Sequence, residues 1–356
     1  MKILYVYEKL PENHQNYLLR LLKQVKKHLN VKTFGYKESE LLDFSLKKNI
    51  TKKVFQKIHN VVQKGEPSTD ISTFKKFDIL HIQHSYLWKK MIPLLELKKR
   101  PKIVITLRGG DTYIKPWTFK RLEEFYARKN NAVDAFVVMT NHQRNYIERW
   151  GVSPDKIHVI PISFGDVSNA EPKYPNKAVL KIVSAFRMTW EKNIEGHLRF
   201  ALVLKERGIP FTYDIYGKGP QLDQLFYLVD QYDLSNNVNV KRAIDNEKLM
   251  SALPSYDFLI QLSMSESLGM SVIEAQSKGV PCVISNSGGL PETVIANETA
   301  IVHHYHDLEI LANECIKLWE DRERYYAFSK RSILNANDKF STAKEIVALT
   351  QLYQNL

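Results

Sequence analysis

Short apolar runs and helical repeats alternate along the chain, and this rhythm limits its possible folds more tightly than any other feature. Lys2–Tyr7, Phe77–His84, Lys102–Leu107, Ala135–Thr140 and Ile157–Ile162 read as strands in the first half. Val179–Ala185, Thr212–Tyr216, Asp257–Leu262, Val280–Ile284 and Ala300–His303 do so in the second. Between them lie helical stretches: the spacing of Leu18, Leu21, Leu22, Val25 and Leu29, then Asn141–Trp150, Ile194–Gly208 and a last helix over Lys344–Leu356. Strand-then-helix without internal repeat argues for parallel sheets with right-handed crossovers. The 356 residues suffice for two full cores. Residues 166–178, with Pro172 and Pro175 and few apolar side chains, read as a linker between domains spanning 1–165 and 179–339.

Composition narrows the class. No apolar run approaches the roughly 18–20 residues that a membrane span needs. The start, MKILYVYEKLPEN, reads as a first strand and is too short in apolar core for a signal peptide. Cys282 and Cys315 make no disulfide framework, so the expected compartment is the reducing cytoplasm. The net charge of +12 is unevenly shared: residues 1–165 carry 31 Lys+Arg against 15 Asp+Glu, the remainder 20 against 24. A basic half suits an anionic partner. The helix of Leu18–Leu29 carries Arg20, Lys23, Lys26 and Lys27 mainly on its polar face, and lysines continue through Lys47, Lys48, Lys52, Lys53 and Lys57. Such a surface is solvated or rests on anionic lipid headgroups at the inner face of the cell membrane. No helix-turn-helix grammar or aromatic interleaving favours nucleic acid.

The stretch Ser263–Val294 is the most informative for chemistry. Glu266 and Glu274 flank Ser267, Leu268, Gly269, Met270 and Ser271, a loop-to-helix junction; Val272, Ile273 and Ala275 continue the helix, and Gly279 ends it. A second tight turn, Ser287-Gly288-Gly289-Leu290, leads into Pro291-Glu292-Thr293, which can open another helix. Two helix starts aimed at one place offer free N–H groups and positive dipole ends to a phosphate. Gly269 lets backbone approach a ligand. Glu274, one turn into the helix, can accept hydrogen bonds from a ribose, and Glu266 from a second hydroxyl-rich group. A phosphate between two polyol-binding carboxylates describes a nucleotide sugar. Two glutamates eight positions apart carry no such meaning alone; the ordered context supplies it.

Ser-Glu-Ser-Leu-Gly-Met-Ser-Val-Ile-Glu-Ala, then Gly279-Val280-Pro281, then Gly288-Gly289-Leu290-Pro291-Glu292, resembles the signature of glycosyltransferase family 4. The resemblance implies retaining enzymes of the GT-B fold: two Rossmann-like α/β domains, parallel sheets facing a central cleft, and a final helix, here 340–356, packed back on the first domain. It implies a nucleoside diphosphate sugar as donor substrate, no cofactor and no metal. Arg187 and Lys192, five apart after a strand, can both reach one diphosphate, and they match the family's pyrophosphate-binding pair. Gly217 matches its turn after the next strand, and Arg242 and Ala243 the loop whose backbone contacts the base. Arg108-Gly109-Gly110-Asp111 resembles the family's strand-end motif. With His84 it would face acceptor or sugar from the first domain, at strand carboxyl ends where ligands gather.

The resulting expectation is a metal-independent, retaining hexosyltransferase that passes sugar to a saccharide or lipid-linked saccharide in surface polysaccharide or lipopolysaccharide synthesis. Glu266, Arg187, Lys192 and Asp111 would act at the reacting centre, with domain closure hinged near Ser163–Pro175. The departure from the family is the loop Glu8–His14, which lacks glycine. A catalytically inert nucleotide-binding subunit and a nucleotide-sugar 2-epimerase are the alternatives. No strand is followed by the Gly-x-Gly-x-x-Gly of a dinucleotide-binding dehydrogenase.

Overall fold

A computed structural model describes residues 1–10, 16–45 and 71–356. The lysines at 47–57 and most of the glycine-free loop, Glu12–His14 included, lie outside the described residues. The chain forms two compact units: Met1–Pro161 together with Glu345–Leu356, and Ile162–Lys344.

In the first unit, β1 (Ile3–Tyr7), β2 (Val31–Gly35), β3 (Phe44–Ser45), β4 (Ile79–Ile82), β5 (Lys102–Thr106), β6 (Ala135–Val138) and β7 (Ile157–Val159) form one parallel sheet in the order β3-β2-β1-β4-β5-β6-β7. Central strands such as β1 and β4 are buried along their whole length. A parallel sheet covered by crossover helices on both faces needs such continuous apolar runs. The edge strands β2 and β3 escape the sequence reading because they are short, and β2 is interrupted by Lys32 and Thr33. Helix Asn16–His28 buries Leu18, Leu21, Leu22 and Val25. Of its polar face, Lys26 is tied to Asp43 at 2.8 Å. Thr342–Gln354 is the last helix. Its Tyr353 hydroxyl lies 2.8 Å from that of Tyr5 and 2.5 Å from His81 Nδ1, while His81 Nε2 meets Thr106 Oγ1 at 2.6 Å. This buried chain joins the helix to β1, β4 and β5.

The second unit holds β8 (Leu180–Arg187), β9 (Phe211–Lys218), β10 (Val238–Lys241), β11 (Phe258–Gln261), β12 (Cys282–Ser285) and β13 (Ala300–His303), parallel, in the order β10-β9-β8-β11-β12-β13. Residues 166–178 lie against this unit: Ser168 N–H donates to Asn337 and Asn176 N–H to Asp257, both at 2.8 Å. The two stretches where the chain enters and leaves the unit run side by side, with Phe164 N–H bonded to Phe340 O at 3.0 Å and Thr342 N–H to Gly165 O at 2.8 Å. Both sheets are thus doubly wound. The strand order reverses between β1 and β4 in one and between β8 and β11 in the other. Ligands of open α/β sheets gather at the carboxyl ends of strands at such reversals.

Candidate active site

The carboxyl end of β8 is Arg187, and a single 3₁₀ turn, Trp190–Lys192, follows it. Asn193 then takes a left-handed conformation (φ 54°), accepts a hydrogen bond from Gly196 N–H at 3.2 Å and so caps helix Ile194–Glu206. Asparagine tolerates that conformation and serves as an N-cap. From β11, across the reversal, the chain runs through Ser263 to Glu266. Lys192 Nζ and Glu266 Oε2 form an ion pair that bridges the two strand ends, each side chain only 14% exposed. Between the cations, Glu191 is buried. Its carbonyl accepts from Met264 N–H at 2.8 Å, and its carboxylate meets Arg187 Nη2 at 3.2 Å. The Arg187 side chain is otherwise open to solvent, 69% exposed.

The helix that follows Glu266 spans Met270–Ser277, with Gly269 (φ 91°) as its cap. Its first backbone bonds run from Val272 and Ile273 to Gly269 O, so the N–H groups of Gly269, Met270 and Ser271 precede the hydrogen-bonded ladder. Leu268 is buried beside them, Ser267 N–H donates to its neighbour Glu266 Oε1 at 3.2 Å, and Ser271 Oγ meets Gln261 Oε1 at 3.3 Å. Glu274 is buried and accepts from Asn246 Nδ2 at 2.8 Å. Asn246 opens the helix that follows the exposed loop of Arg242 and Ala243. The base-side loop and the ribose-side carboxylate therefore meet through one amide. Gly217 pairs with Phe186 at the end of β9, next to Arg187.

The second helix start expected at Pro291 is a four-residue 3₁₀ turn, Leu290–Thr293. Gly288 (φ 59°) turns the chain so that Gly289 N–H donates to Glu266 O at 2.8 Å, and Leu290 N–H donates to Ser287 O at 3.2 Å. These groups are spent on fixing Glu266, which leaves the junction at Gly269 as the helix start of this segment. A Cβ on Gly288 would lie 2.1 Å from Glu266 O, so glycine alone permits the approach.

Behind the site runs a directed hydrogen-bond chain that the sequence did not disclose. Leu262 N–H donates to His197 Nε2 at 3.2 Å, which makes Nδ1 the protonated nitrogen; it faces Tyr213 OH at 2.7 Å. Tyr213 OH meets Ser184 Oγ, which donates to Ile260 O, both at 2.6 Å. Burial, with the Lys192 charge, pushes His197 down to about 3 and keeps it neutral. The chain pins the end of β11, from which Glu266 departs. Asn246, Glu191 and His197 are the residues sequence reasoning missed. Asn246 left one signal, an asparagine at the start of a helical stretch.

In the first unit, Arg108 and Asp111 share a turn through Gly109 (φ 104°). The Asp111 carboxylate faces inward: it accepts from Ser85 Oγ and Arg108 N–H, each at 2.9 Å. Burial raises its pKa, against those bonds. Asp111 thus shapes the turn, with Gly110 opening the short helix after it. Arg108 Nη2 donates to Gln83 Oε1 at 2.8 Å, and its guanidinium carbon lies 5.5 Å from the Tyr17 ring centre. His84 stacks on Tyr86 at 4.9 Å; burial, then the charges of Arg108 and Lys115, push it down to about 3. The structure brings His84, Arg108, Gly110 and Asp111 together at the carboxyl ends of β4 and β5, and Glu266, Glu274, Arg187 and Lys192 together in the second unit. Among the described residues no three His, Cys, Asp or Glu side chains cluster as metal ligands, and no helix is long and apolar enough to cross a membrane.

Comparison with known proteins fits this geometry. Residues 168–334 match the family described as Glycosyl transferases group 1, and residues 65–162 match Glycosyltransferase Family 4. The chain is 23% identical over 308 residues to N-acetyl-alpha-D-glucosaminyl L-malate synthase of Bacillus anthracis, covering 81% of this chain and 77% of that protein. It is 22% identical over 242 residues to poly(ribitol-phosphate) alpha-N-acetylglucosaminyltransferase of Staphylococcus aureus, covering 67% of this chain and 48% of that one. Anabaena HepE, solved with UDP, superposes with a TM-score of 0.77 at 13% identity over the whole of both chains.

Proposed function

We propose that this chain, a glycosyltransferase of the GT-B type, moves a sugar from a UDP-sugar to a saccharide or lipid-linked saccharide acceptor in surface polysaccharide synthesis, with retention at the anomeric carbon. The observation that carries the reading is the Lys192–Glu266 pair, which spans the β8–β11 reversal beside the open helix start at Gly269. Departure of UDP leaves negative charge on the β-phosphate. Arg187, Lys192 and the N–H groups of Gly269–Ser271 stabilise that charge as it develops, so the step needs no metal and no cofactor. Glu274, oriented by Asn246, binds the ribose; the backbone near Arg242 and Ala243 meets the base. Glu266, held by Lys192 and by Gly289 N–H, binds the sugar hydroxyls. A carboxylate already engaged by a lysine makes a poor nucleophile, which favours front-face attack with the leaving phosphate taking the acceptor's proton. Asp111 acts by shaping the turn that presents Arg108, and His84 and Gly110 flank it on the acceptor side.

The relatives support the donor and the setting: two are named for N-acetylglucosamine transfer, one of them to poly(ribitol-phosphate), and HepE was solved with UDP. The basic excess in residues 1–165 suits an acceptor presented at the anionic inner face of a membrane. A thermal-shift panel of UDP-, GDP- and ADP-sugars tests the reading. A ligand at 100 times its Kd adds about 2.7 kcal/mol to the folded state. UDP-sugars should stabilise the wild type and fail to stabilise Glu274→Ala. No shift from any nucleotide sugar would sink the donor assignment in favour of an inert subunit.

A further inference from the structure

Arg108 and Gln83 leave two buried donors without partners. Arg108 Nε and Gln83 Nε2 are both shielded from solvent and neither makes a hydrogen bond. The Gln83 amide cannot be turned round to relieve this. Arg108 carries donors only, so the atom facing Arg108 Nη2 at 2.8 Å must be Oε1, and Nε2 is left looking for an acceptor. Gln83 is 1% exposed, and its N–H bonds to Val6 O at 3.0 Å, which places it where the strand order reverses between β1 and β4. No carboxylate among the described residues lies within ion-pair distance of Arg108. Asp111, three residues on, gives its oxygens to Ser85 and to the Arg108 N–H. A second cation, exposed Lys115, lies 5.5 Å from the Tyr86 ring centre, beside His84. Orphaned donors beside an unpaired cation are costly for a protein and are characteristic of a site whose acceptor arrives with a ligand.

We propose that Arg108 and Gln83, with Lys115 at the margin, form an oxyanion site that binds a phosphate or carboxylate group of the acceptor. The acceptor is then an anionic compound and not a neutral sugar. This rests on the reading of the first unit as the acceptor side, and it is symmetrical with the donor site: each sheet presents cationic donors at its own reversal.

The test uses the full chain saturated with UDP, so that the cations of the second unit are occupied. Inorganic phosphate, acetate, glycerol and glycerol 3-phosphate are titrated calorimetrically. Phosphate and glycerol 3-phosphate should bind and glycerol should not. Binding should weaken at least tenfold in Arg108→Gln and in Gln83→Leu and be largely kept in Arg108→Lys, with the UDP-induced thermal shift unchanged in all three. Acetate binding as well as phosphate would assign a general oxyanion site; phosphate alone would assign a phosphorylated acceptor. Equal binding of phosphate by wild type and Arg108→Gln, or no binding by the wild type, would overturn the proposal. Loss of the UDP shift in the wild type would instead strike the donor reading, and the anion titration would still be decided on its own.

Discussion

Lys192 and Glu266 are each about one-seventh exposed, so their pair is more than a surface contact. Removing one partner leaves the other charged and poorly solvated. Lys192→Ala therefore loses the cation that meets the leaving phosphate and also frees Glu266 to move. Loss of one preorganised donor costs roughly 2–4 kcal/mol of barrier, or about 30- to 900-fold in kcat. Steady-state kinetics with a UDP-sugar measures this; a fall of less than tenfold would remove Lys192 from the reacting centre. Lys192 was legible because cations just past a strand end have few structural uses. Asn246 and Gln83 were not, since their meaning lies in contacts with Glu274 and Arg108 far along the chain, and an amide announces no partner by itself.

At the scale of elements, the central strands were legible because burial on both faces demands unbroken apolar runs, whereas the short edge strands β2 and β3 have no such demand. The glycine turn after β12 was read correctly as a turn and wrongly as a helix start. Its hydrogen bonds go to Glu266, and that choice depends on a loop more than twenty residues away. The turn can be tested by contrast. Gly288→Ala meets both a positive φ and a carbonyl oxygen at 2.1 Å, while Gly208→Ala has a positive φ and open space. Left-handed strain alone costs about 1–3 kcal/mol. Denaturant unfolding should show Gly288→Ala less stable than Gly208→Ala, and only Gly288→Ala should weaken UDP-sugar binding. Equal losses of stability would mean that the loop gives way without disturbing Glu266.

At the scale of the whole molecule, three histidines are held neutral: His81 and His84 in the first unit, His197 in the second, each pushed down to about 3 chiefly by burial. In the unfolded chain they protonate near pH 6.5. Between about pH 6.5 and about pH 3 the unfolded state binds more protons, so stability is full above that window and falls as pH drops through it. The slope approaches about 1.4 kcal/mol per pH unit for each group. Denaturant unfolding at pH 7, 6 and 5 should show this decline, with a shallower one in His197→Gln; a flat profile would mean that these histidines titrate in the native state.

The pairing of Phe164 with Phe340 and of Gly165 with Thr342 makes the second unit an insertion, closed at its base, within the first. The first unit needs Tyr353 to satisfy His81 and Tyr5 in its sheet. On the ribosome, that sheet must therefore wait: although its strands emerge first, residues 162–344 can complete their own fold before Glu345–Leu356 is even synthesised. The later-made unit matures earlier, and the acceptor side is finished only when the last turn of the polypeptide is released.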